Sequence, residues 1–143
     1  MPEARRLLLA FDYGLKRIGV ATGNRLTGTA SPLTTLKAAG GPPWNEIDVL
    51  VTEWRPDLIV VGRPDADANA RLLKSLDDFV AGLRERYALE IEQVDESFTS
   101  AAAESALRED RRDGILQRRV TRADIDRRAA CLIAEQWMNQ SLE

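Results

Sequence analysis

Three carboxylates share one trait, because each lies at the end of a predicted strand or helix. Asp12 closes a buried strand, Glu96 follows the last strand and Asp126 lies in the first turn of the last helix. Converging carboxylates repel one another unless a cation lies between them, and Mg²⁺ or Mn²⁺ prefers such oxygen ligands. Two such ions can activate a water molecule and stabilise the leaving oxygen in phosphodiester hydrolysis. The three acids therefore indicate a metal-dependent phosphodiesterase.

Each acid also has a simpler interpretation. Asp12 could merely shape a turn, Glu96 could be a solvated residue at a strand end, and Asp126 could be favoured by the helix dipole. Their neighbours Asp95 and Asp124 lie at similar positions. The three acids indicate a site only when they are taken as a set.

The composition narrows the chemistry. The 143 residues include no histidine, which excludes histidine acid–base catalysis, Ser-His-Asp triads and His-ligated zinc. The single cysteine, Cys131, excludes an internal disulfide and fits a reducing cytoplasm. The net charge of −3 gives no global attraction to nucleic acid, so binding would depend on local basic clusters. We expect no signal peptide, because the first apolar run is short and ends in Phe-Asp-Tyr-Gly rather than in small residues. We also expect no membrane span, since no apolar run approaches about 20 residues.

The first part of the chain predicts three strands. Residues 7–11 are apolar at every position, which is typical of a strand covered on both faces. Gly14 and Gly19 bracket the following turn, where a positive φ or a close backbone approach is needed. Strands over 18–23 and 27–36 follow after short links, so we expect an antiparallel meander.

Helices and strands alternate after this meander. Apolar residues at helical spacing predict helices over 44–54 and 70–86. A fully apolar run predicts a buried strand over 58–61, and alternation predicts a strand with one wet face over 89–94. The polar loop at 63–69 follows the buried strand, where α/β sheets place their ligand sites.

Two further helices and a charged loop complete the prediction. A helix from Thr99 or Ser100 to about Leu107 precedes a polar, Arg-rich loop over 109–121. A last helix then runs to about Asn139. Its predicted cap is the segment 121–124, and its predicted buried face consists of Ile125, Ala129, Leu132, Ile133, Gln136 and Trp137.

These elements predict one α/β domain over residues 1–143. We expect a five-stranded mixed sheet, with three antiparallel strands followed by parallel ones, flanked by about four helices. The strand at 58–61 should lie beside the first strand. If the first and last strands are parallel, Asp12 and Glu96 leave the sheet at one edge, and the last helix could bring Asp126 to that edge.

Two basic clusters lie near these elements. Lys16 and Arg17 follow Asp12 closely and could neutralise it, contact a phosphate backbone, or remain solvated. The second cluster could grip a nucleic-acid backbone or simply keep the loop soluble, and it consists of Arg111, Arg112, Arg118 and Arg119.

Five segments, in order and over nearly the whole chain, resemble the YqgF family: residues 11–21, 27–33, 56–62, 95–100 and 126–130. These bacterial proteins are described as RuvX-like Holliday-junction resolvases and as nucleases that process the 5′ end of pre-16S ribosomal RNA. The resemblance implies an RNase H-like fold and a metal-dependent nuclease site. By position, Asp12 matches the family's first-strand acid, Glu96 the acid of its Asp-Glu-Arg motif and Asp126 the acid that opens its last helix.

The sequence departs from the family at two places that flank the predicted site. After Gly62 the family has Leu-Pro and a loop with Asn-Met-Asp-Gly, whereas this chain has Arg63, Pro64 and an apparently shorter loop. The family has Arg after Asp-Glu, whereas this chain has Ser97. Arg63 could replace some of the missing positive charge.

Our leading interpretation is a Mg²⁺- or Mn²⁺-dependent nuclease of structured nucleic acid, favouring pre-16S rRNA over a DNA junction. Asp12, Glu96 and Asp126 would hold the metal, and the two basic clusters with Arg63 would contact phosphates. We expect a cytoplasmic monomer or weak homodimer that acts on nucleic acid, with the ribosomal small subunit as a further candidate partner.

Three alternatives remain open from the sequence. One is a Holliday-junction resolvase in DNA recombination or repair. Another is an actin-like phosphotransferase or ATPase, which also has an Asp-x-Gly turn, although this chain is too short for two lobes. The last is a non-catalytic module for ribosome assembly on the same fold, which the replacement at Ser97 favours.

Overall fold

The computed structural model describes residues 7–64, 69–95 and 121–141. Within these ranges, eight elements follow one another: β1 (Leu7–Tyr13), β2 (Arg17–Asn24), β3 (Thr29–Lys37), α1 (Trp44–Trp54), β4 (Leu58–Arg63), α2 (Ala70–Arg86), β5 (Glu90–Asp95) and α3 (Arg122–Ser141). The predicted bounds of α1 and α2 are confirmed. The predicted helix at 99–107 lies outside the described residues. No helix in the described ranges is long and apolar enough to cross a membrane.

The five strands form one mixed sheet in the order β3-β2-β1-β4-β5. β1 pairs with β2 and β2 with β3 in antiparallel fashion, which confirms the predicted meander. β4 pairs in parallel with β1 on one side and with β5 on the other. β1 and β5 therefore run in the same direction, which is the condition for their ends to meet at one edge of the sheet.

Helices cover both faces of this sheet. On the face toward α1 and α2, called the α1/α2 face, Leu9 and Phe11 of β1 pack with Phe79 of α2. On the opposite face, called the α3 face, Leu8 and Ala10 of β1 pack with residues of α3. Successive side chains of a strand alternate between faces, so the apolar residues 7–11 of β1 contribute to both hydrophobic clusters.

β5 does not have the single wet face that its alternation predicted. Ile91 packs in the cluster on the α1/α2 face, whereas Val94 packs in the cluster on the α3 face. Ile91 and Val94 are three positions apart, an odd number, so they point to opposite faces, because side chains alternate with a period of two. Each face of β5 therefore has one buried residue, with exposed or half-buried residues beside it.

The buried face of α3 also differs from the prediction. Of the predicted residues, Ala129 and Ile133 are fully buried, whereas the other four are partly exposed. Small side chains are buried instead, because the helix lies close to the sheet. The buried residues of α3 are Asp124, Ala129, Ala130, Cys131, Ile133, Ala134 and Met138.

Candidate active site

Asp12 lies on the α3 face of the sheet. β1 continues through Tyr13, so Asp12 is the last but one residue of the strand rather than the residue that closes it. Alternation along β1 places Asp12 on the same face as Leu8 and Ala10. Its side chain is half-buried, a position from which a carboxylate can meet both α3 and solvent.

Gly19 of β2 lies directly opposite Asp12 in the β1–β2 register. Opposed residues project from the same face, so Gly19 also faces α3. A Cβ atom at Gly19 would lie 2.0 Å from the backbone oxygen of Asp126 and 3.1 Å from its Cβ. Since opposed Cβ atoms are about 5 Å apart, the Cβ atoms of Asp12 and Asp126 lie within about 9 Å of each other. Glycine at this position thus lets the helix bring two of the predicted acids together.

The close approach continues along β2. A Cβ atom at Gly23 would lie 3.4 Å from the Cβ of Ala134, two helical turns beyond Asp126. Between these contacts, Ala21 packs with Ala130 in a small buried cluster. We call Gly19, Ala21 and Gly23 the β2 track, because these small residues let α3 pack closely on β2. This packing fixes the position of the first turn of α3 relative to β1.

The start of α3 is held by its own side chains. The Asp124 carboxylate accepts hydrogen bonds from the backbone N–H and the hydroxyl of Thr121, both at 2.9 Å, and the Asp124 N–H donates to that hydroxyl at 3.2 Å. This reciprocal arrangement is a capping box, which confirms the predicted cap. Arg127 donates to Asp124 at 2.6 Å, and Thr35 of β3 donates to the carbonyl of Ala123 at 3.0 Å. Asp124 is therefore a structural acid.

Asp126 differs from Asp124 in its partner. Its carboxylate accepts a hydrogen bond from Nε of Arg17, the first residue of β2, at 2.8 Å. The Asp126 side chain is 17% exposed and that of Arg17 is 35% exposed. This ion pair joins the β1–β2 turn to the helix and leaves both groups within reach of solvent.

Cys131 lies on the buried side of α3, next to the small residues of the β2 track. Burial in apolar surroundings raises the pKa of its thiol to about 11, although the nearby charge of Arg128 opposes the shift. The thiol is therefore protonated at neutral pH. A protonated, buried thiol is a poor nucleophile.

The predicted basic residues are placed on different sides of the molecule. Lys16 is exposed in the β1–β2 turn, beside Arg17. Arg63 lies on the α1/α2 face, where its guanidinium donates to Asp77 at 2.8 Å and to Gln93 at 3.2 Å. The structure thus groups Lys16 and Arg17 with the acids and separates Arg63 from them. The nucleic-acid contact of Arg63 stays a prediction.

The remaining predicted site residues lie outside the described ranges. They are Glu96, which directly follows the last residue of β5, and Arg111, Arg112, Arg118 and Arg119. β5 ends with Asp95, which is level with Arg63 of β4 in the parallel register. Phe11 of β1 is level with Val61 of β4, so the three strands end at nearly the same height.

The carboxylates on the α3 face are of the kind that binds a hard divalent cation. The described residues contribute two of them, Asp12 and Asp126. Within residues 7–64, 69–95 and 121–141, no group of three Asp, Glu, Cys or His residues could hold a metal. Asp12 and Asp126 contribute carboxylate oxygens from one face, and Asp126 already binds a cationic group. Oxygen ligands without sulfur or nitrogen suit Mg²⁺ or Mn²⁺.

Sequence reasoning missed the role of Gly19 as the contact point of α3. Gly19 was expected to flank the turn, but it lies within β2. Of the two reasons offered for a glycine, a positive φ or a close backbone approach, the structure shows the close approach. The pattern Gly19, Ala21 and Gly23, with small residues at every second position, was the available signal. Such a pattern indicates one strand face on which another backbone packs closely.

Solved structures with low sequence identity share this architecture. The structure titled "T. thermophilus RuvC in complex with Holliday junction substrate" superposes with a TM-score of 0.60 at 14% identity, covering 95% of this chain and 96% of that chain. A Fowlpox virus resolvase in complex with Holliday junction DNA superposes with a TM-score of 0.62 at 13% identity, covering 96% and 99%. These neighbours establish the RNase H-like fold.

Sequence comparisons identify relatives with much higher identity. A Legionella pneumophila (strain Paris) protein named "Putative pre-16S rRNA nuclease" is 41% identical over 140 residues, or 96% of this chain and 98% of that protein. A protein of the same name from Nitrosococcus oceani is 39% identical over 147 residues, or 97% and 90%. The family model described as "RuvX: Holliday junction resolvase" matches residues 6–140. The chain therefore belongs to the RuvX family, also called YqgF.

Proposed function

We propose that this protein is a divalent-metal-dependent endonuclease of structured nucleic acid and that it processes the 5′ end of pre-16S rRNA. The observation that carries the proposal is the packing of Asp126 against Gly19, directly opposite Asp12. Membership of the RuvX family and the names of its relatives support a nuclease. The names of the Legionella and Nitrosococcus proteins favour pre-16S rRNA as the substrate.

Asp12, Asp126 and Glu96 would hold the metal. Glu96 directly follows Asp95, the last residue of β5, and β5 runs in the same direction as β4 and β1. When bound, the metal would activate a water molecule and stabilise the leaving oxygen.

The protein's own basic groups would bind and orient the substrate. Lys16 lies in the β1–β2 turn and Arg17 begins β2. A phosphate held by these two residues would lie beside the acids. Arg63 would contact the nucleic-acid backbone from the α1/α2 face. The arginines outside the described residues would contact it as well: Arg111, Arg112, Arg118 and Arg119. Contacts of this kind bind phosphates without reading sequence, so the shape of the substrate would decide where cleavage occurs.

The first test is cleavage of a pre-16S rRNA 5′-leader fragment in Mg²⁺ or Mn²⁺ by the wild type and by Asp12→Asn. In metal sites, loss of a residue that only hydrogen-bonds to a metal ligand already costs about 10–100-fold. We therefore expect Asp12→Asn, which alters a ligand itself, to lower the cleavage rate by more than about 100-fold. Asp78→Asn is the matched control, because Asp78 is exposed on α2, away from the α3 face. It should cleave like the wild type.

Two results would overturn the proposal. Equal cleavage by the wild type and Asp12→Asn would remove the acids from the reaction. Absence of both cleavage and Mn²⁺ binding, measured by calorimetry on the same samples, would favour the non-catalytic module for ribosome assembly. Binding of Mn²⁺ without cleavage of the leader would reject this substrate and leave the metal site in place.

A Holliday-junction resolvase is the second candidate function. The description of the matching family and the junction complexes of the two structural neighbours favour it. A four-way DNA junction belongs in the same assay. Preferential cleavage of the junction over the RNA leader would select this function with the same acids.

We propose the cytoplasm as the site of action, since the single cysteine fits a reducing compartment. The protein would work there as a monomer or weak homodimer. Its net charge of −3 and its local basic clusters suit a substrate presented by the ribosomal small subunit, where few surfaces of the protein need to meet RNA.

A further inference from the structure

The ion pair between Arg17 and Asp126 places a protein cation on a proposed metal ligand. Nε of Arg17 lies 2.8 Å from Oδ2 of Asp126. A divalent ion that bound this oxygen would compete with the Arg17 guanidinium for the same carboxylate. We propose that Arg17 forms an ion pair with Asp126 until the metal binds and that its guanidinium then contacts a phosphate of the substrate. This inference rests on the proposed function.

Because both side chains are partly exposed, breaking the ion pair between them costs little free energy. With Arg17 at 35% and Asp126 at 17% exposure, the pair is partly solvated, and pairs near the surface contribute little to stability. The contact is made through Nε, whereas the strongest Arg–carboxylate pairs are bidentate. A doubly charged ion with several oxygen ligands can therefore displace the guanidinium.

The position of Arg17 keeps the displaced guanidinium near the reaction. Arg17 is the first residue of β2 and lies two residues from Gly19, where α3 contacts the sheet. Its backbone is fixed by the β1–β2 register, in which Ile18 is opposite Tyr13. Only the side chain has to move, and its planar fork suits a phosphate in bidentate geometry. Lys16 beside it offers a point charge without this geometry.

Arg17→Gln tests this exchange of partners through metal affinity, which is independent of turnover. Removing the competing cation should tighten Mn²⁺ binding to the full-length protein about fivefold, as expected for a partly exposed ion pair. At saturating Mn²⁺, the KM for the RNA leader should rise, because the phosphate contact is lost. A purely structural role for Arg17 would instead weaken Mn²⁺ binding.

Two variants serve as controls. Lys16→Gln removes an equal charge from the neighbouring exposed residue, so it measures the general effect of charge and should change the Mn²⁺ affinity by less than about twofold. Arg17→Lys keeps a competing charge but loses the fork, so its Mn²⁺ affinity should stay near that of the wild type while the KM still rises. Thermal unfolding of each variant confirms that it folds.

The outcomes separate this inference from the proposed function. If the wild type binds Mn²⁺, Asp126→Asn does not, and Arg17→Gln binds no tighter than Lys16→Gln, the exchange is refuted and the metal site stands. If the wild type fails to bind Mn²⁺, the proposed function fails and the exchange fails with it. Tighter binding by Arg17→Gln alone, with a raised KM, supports the exchange.

Discussion

The two faces of the sheet are packed by different means. On the α1/α2 face, large side chains meet: the ring of Phe79 lies 5.9 Å from Phe11, 4.7 Å from Tyr13 and 5.5 Å from Trp44, measured between ring centroids. On the α3 face, glycine and alanine let the helix backbone approach β2. Both faces bury apolar side chains, but only on the α3 face does a helix backbone approach β2 closely enough to bring Asp126 near Asp12.

This difference shows how a small domain can position repelling acids. Bringing carboxylates together costs free energy, and a loosely packed face would let them separate. Close backbone packing at Gly19 fixes Asp126 near Asp12, while the apolar cluster of the other face stabilises the sheet that carries Asp12. The following predictions test this division, from the largest expected effect to the smallest.

Phe79→Ala should be among the most destabilising substitutions in the protein. Phe79 is 1% exposed and contacts three aromatic rings, so its truncation leaves a large cavity and should cost about 3–5 kcal/mol. Urea unfolding followed by circular dichroism measures the change. Val49→Ala, at a residue 53% exposed on α1, is the control and should change little. Similar costs for the two variants would contradict the central place of Phe79 in this core.

Gly19→Ala should damage both stability and the site. The new Cβ would lie 2.0 Å from a backbone oxygen of α3, so the helix has to move, at a cost of about 3 kcal/mol. The melting temperature and Mn²⁺ affinity should both fall. Gly40→Ala is the matched control, since nothing lies within 4 Å of its Cβ and its φ is ordinary. A Gly19→Ala protein with unchanged melting temperature and Mn²⁺ affinity would refute the contact.

Asp124→Asn and Asp126→Asn should separate stability from activity. Asp124 is 5% exposed and bonds Thr121 and Arg127, so its replacement should cost about 2 kcal/mol. Asp126→Asn breaks only a partly exposed pair and should cost less than about 1 kcal/mol, yet it should abolish cleavage. Chemical unfolding and the RNA assay check both variants. The reverse result, with Asp124 essential for cleavage and Asp126 for folding, would exchange the roles assigned to these acids.

The alkaline stability of the protein should depend on Cys131. Burial raises the pKa of its thiol from 9.0 to about 11, so the unfolded chain loses this proton first as the pH rises. The stabilising contribution is complete below pH 9 and decreases between pH 9 and 11, by up to about 1.4 kcal/mol per pH unit. Unfolding measured from pH 8 to 11 should show a shallower decrease for Cys131→Ala.

Tyr87→Phe tests the contribution of a partly buried titrating group on the α1/α2 face to the alkaline stability. The pKa of Tyr87 is raised above its ordinary value of 10.0 by burial and by its hydrogen bond to Asp48, so its stabilising effect decreases only above pH 10. Tyr87→Phe should therefore leave the slope between pH 9 and 10 unchanged and flatten it above pH 10. An unchanged slope in both variants would mean that other groups determine the alkaline limit.

Local patterns predicted much of the fold. The predicted bounds of α1 and α2 were correct because each helix has an apolar stripe with clear ends. The segment 121–124 correctly predicted the cap of α3, which Thr121 and Asp124 form.

The buried face of α3 was predicted only in part, because Ala129 and Ile133 are buried as expected and the other four predicted residues are partly exposed. Hydrophobicity alone favours Leu132 and Trp137, whereas close packing on β2 selects Ala130 and Ala134.

The sequence by itself determined which residues could do chemistry and the order of the elements that carry them, because residue type and periodicity are local properties. Only the tertiary structure decided that Asp126 lies on Gly19 opposite Asp12, that Arg17 pairs with an acid 109 positions away, and that Arg63 faces the other side. These placements depend on strand register and on how closely a helix packs on a sheet. Both arise from interactions between segments distant in sequence, which no local pattern encodes.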